Sequence, residues 1–152
     1  MRLYLARHGE AGAAATDDLR QLTPQGREVC RDIYQQAQAQ WSEPLGAVIA
    51  SPLVRAQQTA QIALSLLPTT ATEVLTSSQL RPESTPESVC QLLDKQPHWP
   101  VLLVAHQPLL GLLLSWLTGD DILRYGVNTS SLFALDLITP ARGCASLAWQ
   151  LG

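Results

Sequence analysis

Short apolar runs alternate along this chain with longer segments in which apolar residues recur at helical spacing. Three of the runs, at residues 2–6, 47–50 and 101–105, predict buried strands, because a strand covered on both faces is apolar along most of its length. A further extended piece is predicted around Val74-Leu75. This alternation of strands and helices is typical of a parallel sheet covered by helices.

Each predicted helix has a proline in or before its first turn and apolar residues three or four positions apart. We expect helices from Thr23-Pro24 to near Trp41, from Ser51-Pro52 onward, from Thr85-Pro86 onward, and from Pro108 to Leu117. In the first three of these helices we expect the following positions to face the core. They are Val29, Ile33, Ala37 and Trp41 in the first helix, Ala56, Ala60, Ala63, Leu64 and Leu67 in the second, and Val89, Leu92 and Leu93 in the third.

The end of the chain has a different pattern. Residues 131–138 and 145–151 flank a turn at 139–143, which predicts an antiparallel pair at the end of the sheet. The whole chain therefore predicts an α/β fold, a three-layer α/β/α sandwich with a mostly parallel central sheet and an antiparallel C-terminal hairpin. With 152 residues and 46% hydrophobic content, we expect a single domain spanning residues 1–152.

Charge and cysteine content argue against several function classes. A net charge of −3 provides no basic stripe for nucleic acid. The cysteines Cys30, Cys90 and Cys144 are odd in number and lack CxxC spacing, which argues against a disulfide framework and a zinc site. The N-terminal apolar stretch has no cleavage-site pattern, and the run at 109–117 is shorter than the roughly 20 residues of a membrane span. We expect a soluble, cytoplasmic monomer.

Polar residues suited to phosphate binding follow three of the predicted strands. Arg7-His8 follows the first strand, the segment from Ser51 to Arg55 follows the second, and His106-Gln107 follows the last. Because ligands of open parallel sheets bind beyond the carboxyl ends of the strands, we expect these segments to line one pocket. Guanidinium groups and helix N-termini both bind anions, so the segments predict a cationic cup that fits one phosphoryl group.

Each of these residues also has a purely structural interpretation. Arg7-His8 suits a hydrogen-bonded surface turn, Arg55 a solvated helix face, and His106 the end of a strand. Metal binding by His8, His106 and a carboxylate is disfavoured, because the histidines are far apart in sequence and neither HxH nor HExxH spacing is present. The ordered set of three segments favours the phosphate site over these alternatives.

The three segments resemble a known family pattern. Three segments are similar to the ordered motifs of the histidine phosphatase superfamily, also called the phosphoglycerate mutase-like fold: Arg7-His8-Gly9, Ser51-Pro52-Leu53-Val54-Arg55-Ala56-Gln57-Gln58-Thr59 and Val104-Ala105-His106-Gln107-Pro108. The resemblance covers nearly the whole chain. The small size, the segment at 22–26 and the lack of a large insertion between the second and third motifs resemble the SixA-type phosphohistidine phosphatases.

The chemistry assigns His8 as the nucleophile. A neutral imidazole whose remote nitrogen is tied to a backbone carbonyl keeps its other nitrogen free to attack phosphorus. Arg7, Arg55 and His106 would hold the charge of the transferring group, with Gln107 as a further phosphate ligand. Water would then hydrolyse the phospho-His8 intermediate, and the scheme requires no metal or other cofactor.

The general acid is the open assignment. Superfamily members that cleave phosphate esters resemble one another in carrying a glutamate between the second and third motifs. Glu83 is the candidate here, although the sequence around it departs from their pattern. The alternative is that Glu83 is an exposed loop or capping acid. We interpret Asp17-Asp18 and Asp120-Asp121 as turn or cap residues. A missing acid favours P–N over P–O substrates, because an imidazole leaves neutral whereas an alkoxide must be protonated.

Three functions follow from this pattern. The leading one is hydrolysis of phosphohistidine on a partner protein, such as a histidine phosphotransfer domain or a phosphocarrier in signal transduction. The second is a phosphatase of a small phosphate ester or sugar phosphate. The third, a non-catalytic phosphate-binding module, is disfavoured because the nucleophile and both arginines are present. A partner protein predicts a shallow, open pocket, and a deep, lidded pocket would count against it.

Overall fold

The computed structural model describes all residues from 1 to 152, which form six strands and four helices. In chain order these are β1 (Arg2–Arg7), α1 (Pro24–Gln38), β2 (Ala47–Ala50), α2 (Val54–Leu66), β3 (Val74–Thr76), α3 (Pro86–Asp94), β4 (Val101–Ala105), α4 (Leu109–Thr118), β5 (Leu132–Leu137) and β6 (Ala145–Leu151). Short 3-10 turns lie at Asp17–Leu19, Ser78–Leu80 and Ile122–Arg124. No helix is both long enough and apolar enough to cross a bilayer.

The strands form one mixed sheet in the order β3-β2-β4-β1-β5-β6. The first four strands are parallel, and β5 and β6 each run antiparallel to their neighbour. The predicted strands and the predicted antiparallel hairpin are confirmed. Because β2, β4 and β1 are adjacent and parallel, their carboxyl ends lie side by side at one edge of the sheet.

The core is divided into two layers by this sheet. Alternate residues of β1 point to opposite faces, so Leu3 and Leu5 pack with α3 and α4 while Tyr4 and Ala6 pack with α1 and α2. The three-layer α/β/α sandwich is therefore confirmed. Burial of β1, β2 and β4 under helices explains why these strands are apolar on both faces.

The buried face of α1 differs from the prediction. Val29 is 40% exposed, and the helix ends at Gln38 instead of near Trp41. A spacing of four residues turns the helix by about 400°, so a row of such positions drifts off the face that contacts the core. The residues that do pack inward are Gly26, Cys30, Ile33, Tyr34 and Ala37.

Two helix starts also lie later than expected. The second helix begins at Val54, because Ser51 Oγ accepts a hydrogen bond from Leu53 N and holds residues 51–53 in a turn. The fourth begins at Leu109 with Pro108 as its first flanking residue. The motif residues Ser51-Pro52 therefore precede α2 instead of opening it.

One close backbone contact fixes the start of α1 against the chain that follows β1. Thr23 N donates to Glu10 O (3.0 Å), and the Thr23 hydroxyl accepts from Gly26 N (2.9 Å) as the N-cap. A Cβ at Gly26 would overlap the Glu10 carbonyl oxygen. Glycine is therefore required at this position.

We expect Gly26→Ala to lower the free energy of unfolding by about 1–3 kcal/mol, because the Glu10 backbone has to move. Gly12→Ala is the matched control, since a Cβ there would meet only Thr23 Cγ2 at 3.9 Å. Urea unfolding of both variants measures the difference. Equal stability of the two variants would contradict this account of the contact.

Candidate active site

The carboxyl ends of β1, β2 and β4 bring together the polar segments that the sequence singled out. His8 N donates to Ala105 O (3.2 Å), which aligns the residue after β1 with the end of β4. The rings of His8 and His106 lie 4.9 Å apart between centroids. Arg55, from the first turn of α2, donates from Nε to His8 Nε2 (3.3 Å). The prediction that these segments meet at one edge of the sheet is confirmed.

His8 is held in one tautomer by the backbone. Its Nδ1 lies 2.7 Å from Gly9 O, and since a carbonyl only accepts, Nδ1 carries the proton. The lone pair is then on Nε2, which faces Arg55. Burial, followed by the nearby charge of the arginines, lowers the pKa of His8 to about 4, so the ring is neutral at physiological pH.

His106 is the most enclosed of these side chains. It is 1% exposed, and neither ring nitrogen has a hydrogen-bond partner within the protein. Burial, with His8 and Arg55 as further causes, lowers the pKa of His106 to about 3. A neutral imidazole keeps one N–H, and here that donor is free for a bound anion.

Arg7 is anchored from the other side of the site. Its Nη1 donates to Val127 O (2.9 Å), while its Nε is buried without a partner. Burial and the charge of Arg55 lower the pKa of Arg7, yet a guanidinium stays charged. The free Nε–H provides a donor for an oxyanion.

Arg55 is bound by an aspartate that the sequence analysis interpreted as a turn residue. Its Nη1 donates to Asp17 O (2.8 Å) and its Nη2 to Asp17 Oδ2 (3.1 Å). Bonding to Arg55, and then to Arg20, lowers the pKa of Asp17. Asp17 does lie in a 3-10 turn, so its local structure was predicted while its contact with Arg55 was missed.

Thr59 joins the loop after β1 to α2. Its hydroxyl accepts from Gly9 N (3.0 Å) and donates to Arg55 O (2.8 Å). A Cβ at Gly9 would lie 2.7 Å from Cys30 Sγ, so glycine lets this loop approach α1 closely. Sequence reasoning assigned no role to Thr59, which stands one helical turn after Arg55 on the same face.

Glu83 and Gln107 make their hydrogen bonds outside this group. Glu83 Oε1 accepts from Arg81 Nε (2.8 Å), its side chain is 67% exposed, and Arg81 lowers its pKa. Gln107 Oε1 accepts from Gly111 N (2.8 Å) in the first turn of α4. The assignments of Glu83 as acid and Gln107 as phosphate ligand therefore stay predictions, and neither side chain contacts His8 by a hydrogen bond.

The expected open pocket is absent in this conformation. None of the four cavities is lined by Arg7, His8, Arg55 or His106. A depression of about 450 Å³ lies beside them, lined by residues 11–17 and Arg20. No deep cavity is present at these residues either.

We expect Thr59→Val to lower the free energy of unfolding by about 1–3 kcal/mol, because the buried Gly9 N–H loses its acceptor. Thr59→Ser keeps the hydroxyl and should recover most of that loss. Urea unfolding of the two variants measures the contribution of this bond. A valine variant as stable as the serine variant would contradict it.

The low pKa values of His8 and His106, about 4 and about 3, couple stability to pH. An unfolded histidine has a pKa of about 6.5, so on acidification the unfolded chain binds these protons first and stability falls. We expect a loss of about 1–2 kcal/mol per histidine between pH 7 and pH 5.

Urea unfolding at both pH values measures this loss. The variant His8→Asn should show a shallower dependence, and His98→Asn, at an exposed position, serves as the control. The same dependence in wild type and His8→Asn would refute the assignment.

Comparison with known proteins gives a family and a set of related folds. Residues 3–82 match the family model of the histidine phosphatase superfamily (branch 1). Comparison with curated protein sequences gives no match.

Solved structures match over the whole chain. The protein histidine phosphatase SixA complexed with tungstate is 27% identical, with 100% of this chain and 97% of that one covered and a TM-score of 0.87. An Agrobacterium tumefaciens protein assigned as SixA is 25% identical, with 99% and 97% covered and a TM-score of 0.82. The α-ribazole phosphatase of Shigella flexneri, 22% identical over 97% and 94% of the two chains with a TM-score of 0.70, shares the fold.

The family match covers the first motif and the second, Arg7-His8-Gly9 and Ser51 to Arg55, and the structural matches extend the likeness to the end of the chain. The resemblance inferred from the motifs is thereby confirmed. This chain belongs to the histidine phosphatase superfamily, is SixA-like in structure, and is by that membership a phosphatase.

Proposed function

We propose that this phosphatase removes phosphoryl groups from phosphohistidine on a partner protein, through a phospho-His8 intermediate. The observation that carries the proposal is the hydrogen bond of His8 Nδ1 to Gly9 O, which leaves Nε2 as the nucleophile beside Arg55. The single-domain character, the absence of nucleic-acid or membrane partners, and a cytoplasmic, monomeric role in signal transduction are parts of the same proposal.

In the first step Arg55 Nε–H exchanges its hydrogen bond with His8 Nε2 for one with a phosphoryl oxygen. The released lone pair of Nε2 attacks phosphorus in line with the bond to the substrate imidazole. The P–N bond of the substrate breaks, and its imidazole leaves neutral because its remote nitrogen already carries a proton. Donors from Arg7, Arg55 and His106 hold the equatorial oxygens. The proton stays on His8 Nδ1 throughout, donated to Gly9 O, so phospho-His8 is itself protonated at the remote nitrogen.

In the second step water attacks the phosphorus of phospho-His8. The new P–O bond forms as the bond to Nε2 breaks, and the product leaves as inorganic phosphate with the protons of the water. Since Nδ1 is already protonated, His8 leaves as a neutral imidazole and returns to its starting tautomer. Both steps therefore have a neutral imidazole as the leaving group.

The ionised state of Glu83 and Asp17 favours this P–N chemistry over ester cleavage. An alkoxide has to be protonated as it leaves, which requires an acid whose pKa is raised toward neutrality. Arg81 lowers the pKa of Glu83, and Arg55 lowers that of Asp17, so both carboxyl groups are ionised in the free enzyme. Without a protonated carboxyl group to act as acid, the site is better matched to a leaving group that needs no proton from the enzyme.

The partner is proposed from the same chemistry. A histidine phosphotransfer domain or a small phosphocarrier carries its phosphohistidine as an exposed side chain. The likeness to a protein histidine phosphatase supports a protein substrate.

We expect His8→Ala to lower kcat for a phosphohistidine-bearing phosphocarrier by at least about 1,000-fold, because the nucleophile is lost. His98→Ala is the matched control, since His98 is exposed and lies outside the site. Release of labelled phosphate from the phosphocarrier measures the rates, and the same assay on a panel of sugar phosphates and aryl phosphates gives kcat/KM for esters.

Two results would overturn the proposal. One is a kcat/KM for any ester well above that for the phosphohistidine protein, which would make the enzyme an ester phosphatase. The other is turnover of the phosphocarrier by His8→Ala at the wild-type rate, which would remove His8 from the mechanism.

A further inference from the structure

We propose that the Asp17 carboxylate is an internal anion that occupies Arg55 in the free enzyme and that the phosphoryl group displaces, so that Asp17 sets the affinity of the site for phosphate. This inference rests on the proposed function in one respect, the role of Arg55 as a phosphoryl ligand. It assigns to Asp17 a role in binding that is separate from the chemistry of His8.

The contacts of Arg55 show that an anion already occupies it. Its Nε–H points at His8 Nε2, so the guanidinium edge that faces the nucleophile is the edge that would hold a transferring phosphoryl group. The other nitrogens bind Asp17 through both a carboxylate oxygen and the backbone oxygen, at 3.1 and 2.8 Å. Asp17 therefore takes donors that a phosphoryl oxygen needs.

This contact is easy to displace because one partner is buried and the other is not. The side chain of Arg55 is 5% exposed while that of Asp17 is 59% exposed. Residues 13–19 are all exposed, so little packing holds the tip of their loop. The Asp17 carboxylate regains its hydration when it leaves, and an arriving phosphoryl oxygen takes its place, so Arg55 keeps an anionic partner during the exchange.

The base of the same loop is fixed. Arg20 donates to Gly12 O (2.9 Å) and Ala11 O (3.1 Å), and Ala11 bridges to Leu22 across the base. The Asp17 carboxylate can therefore leave Arg55 Nη2 without unfolding of the loop. Rotation of the Asp17 side chain is sufficient, and the backbone oxygen of Asp17 keeps its bond to Arg55 Nη1.

The buried guanidinium gives this arrangement a physical reason. A buried cation without a partner is costly, and Asp17 supplies the partner when no phosphate is present. Binding then exchanges one anion for another. The apparent affinity for phosphate is therefore the intrinsic affinity multiplied by the fraction of time for which Arg55 is free of the Asp17 carboxylate. The same competition assists release of phosphate after hydrolysis.

Asp18 provides a matched control. It has the same charge, is adjacent in sequence, and is similarly exposed, but it pairs with Arg81 at 3.2 Å instead of Arg55. Removing either charge changes the net charge of the loop equally. Only removal of the Asp17 carboxylate frees Arg55 Nη2, and the backbone contact of Arg55 Nη1 is the same in every variant.

The test is the dissociation constant of inorganic phosphate, measured by calorimetry on the wild-type protein and on Asp17→Asn, Asp17→Ala and Asp18→Asn. We expect both Asp17 variants to bind phosphate about tenfold more tightly than Asp18→Asn. This factor corresponds to a wild-type protein in which Arg55 is free of the Asp17 carboxylate for roughly a tenth of the time. The alanine variant removes any hydrogen bond that an asparagine side chain would still make.

Phosphate binding by the Asp17 variants that is equal to or weaker than binding by Asp18→Asn would overturn the inference, because Asp17 would then support Arg55 instead of competing for it. So would undetectable binding in every protein. The titration involves no turnover, so it can fail while the phosphohistidine assay succeeds, and the failure of either idea is recognised separately.

Discussion

The hydrogen bond from His8 Nδ1 to Gly9 O is the contact on which the site depends. It decides which ring nitrogen carries the proton and therefore which one has a lone pair. The Gly9 backbone is itself held in place, by a hydrogen bond to Thr59 of α2 and by close approach to Cys30 of α1. Packing of two helices on one face of the sheet thus supports the tautomer of His8, the proposed nucleophile.

Electrostatic balance is the second constraint on the site. Arg7 and Arg55 concentrate positive charge beside two buried histidines, and burial with these charges keeps both histidines neutral. Neutrality leaves His8 nucleophilic and leaves His106 with a free donor. Asp17 supplies the compensating negative charge on Arg55. A dianionic phosphoryl group would meet two cations and two neutral rings, which is the arrangement that phosphoryl transfer requires.

The fold and the principal site residues were predictable because each rests on a local signal. Buried parallel strands are apolar on both faces, and residues directly after them reach the ligand-binding edge, which is how His8, Arg55 and His106 were found. The buried face of α1 was partly wrong, because a four-residue spacing drifts around a helix whose true contact face passes through Gly26 and Cys30.

The contacts that complete the site carry no such signal. Asp17 lies 38 positions before Arg55, and nothing in its neighbourhood distinguishes a turn aspartate from one that reaches a buried arginine. The carbonyl of Val127 binds Arg7 through the backbone, which any residue could do.

The position of the phosphorus atom on the trapped enzyme tests the central claim most directly. Enzyme carrying ¹⁵N-labelled histidine would be mixed with a phosphohistidine phosphocarrier, quenched in alkali, and examined for ³¹P–¹⁵N coupling. The account predicts phosphorus bonded to Nε2 of His8. Phosphorus on Nδ1, on another residue, or on no residue of an enzyme that turns over would contradict it.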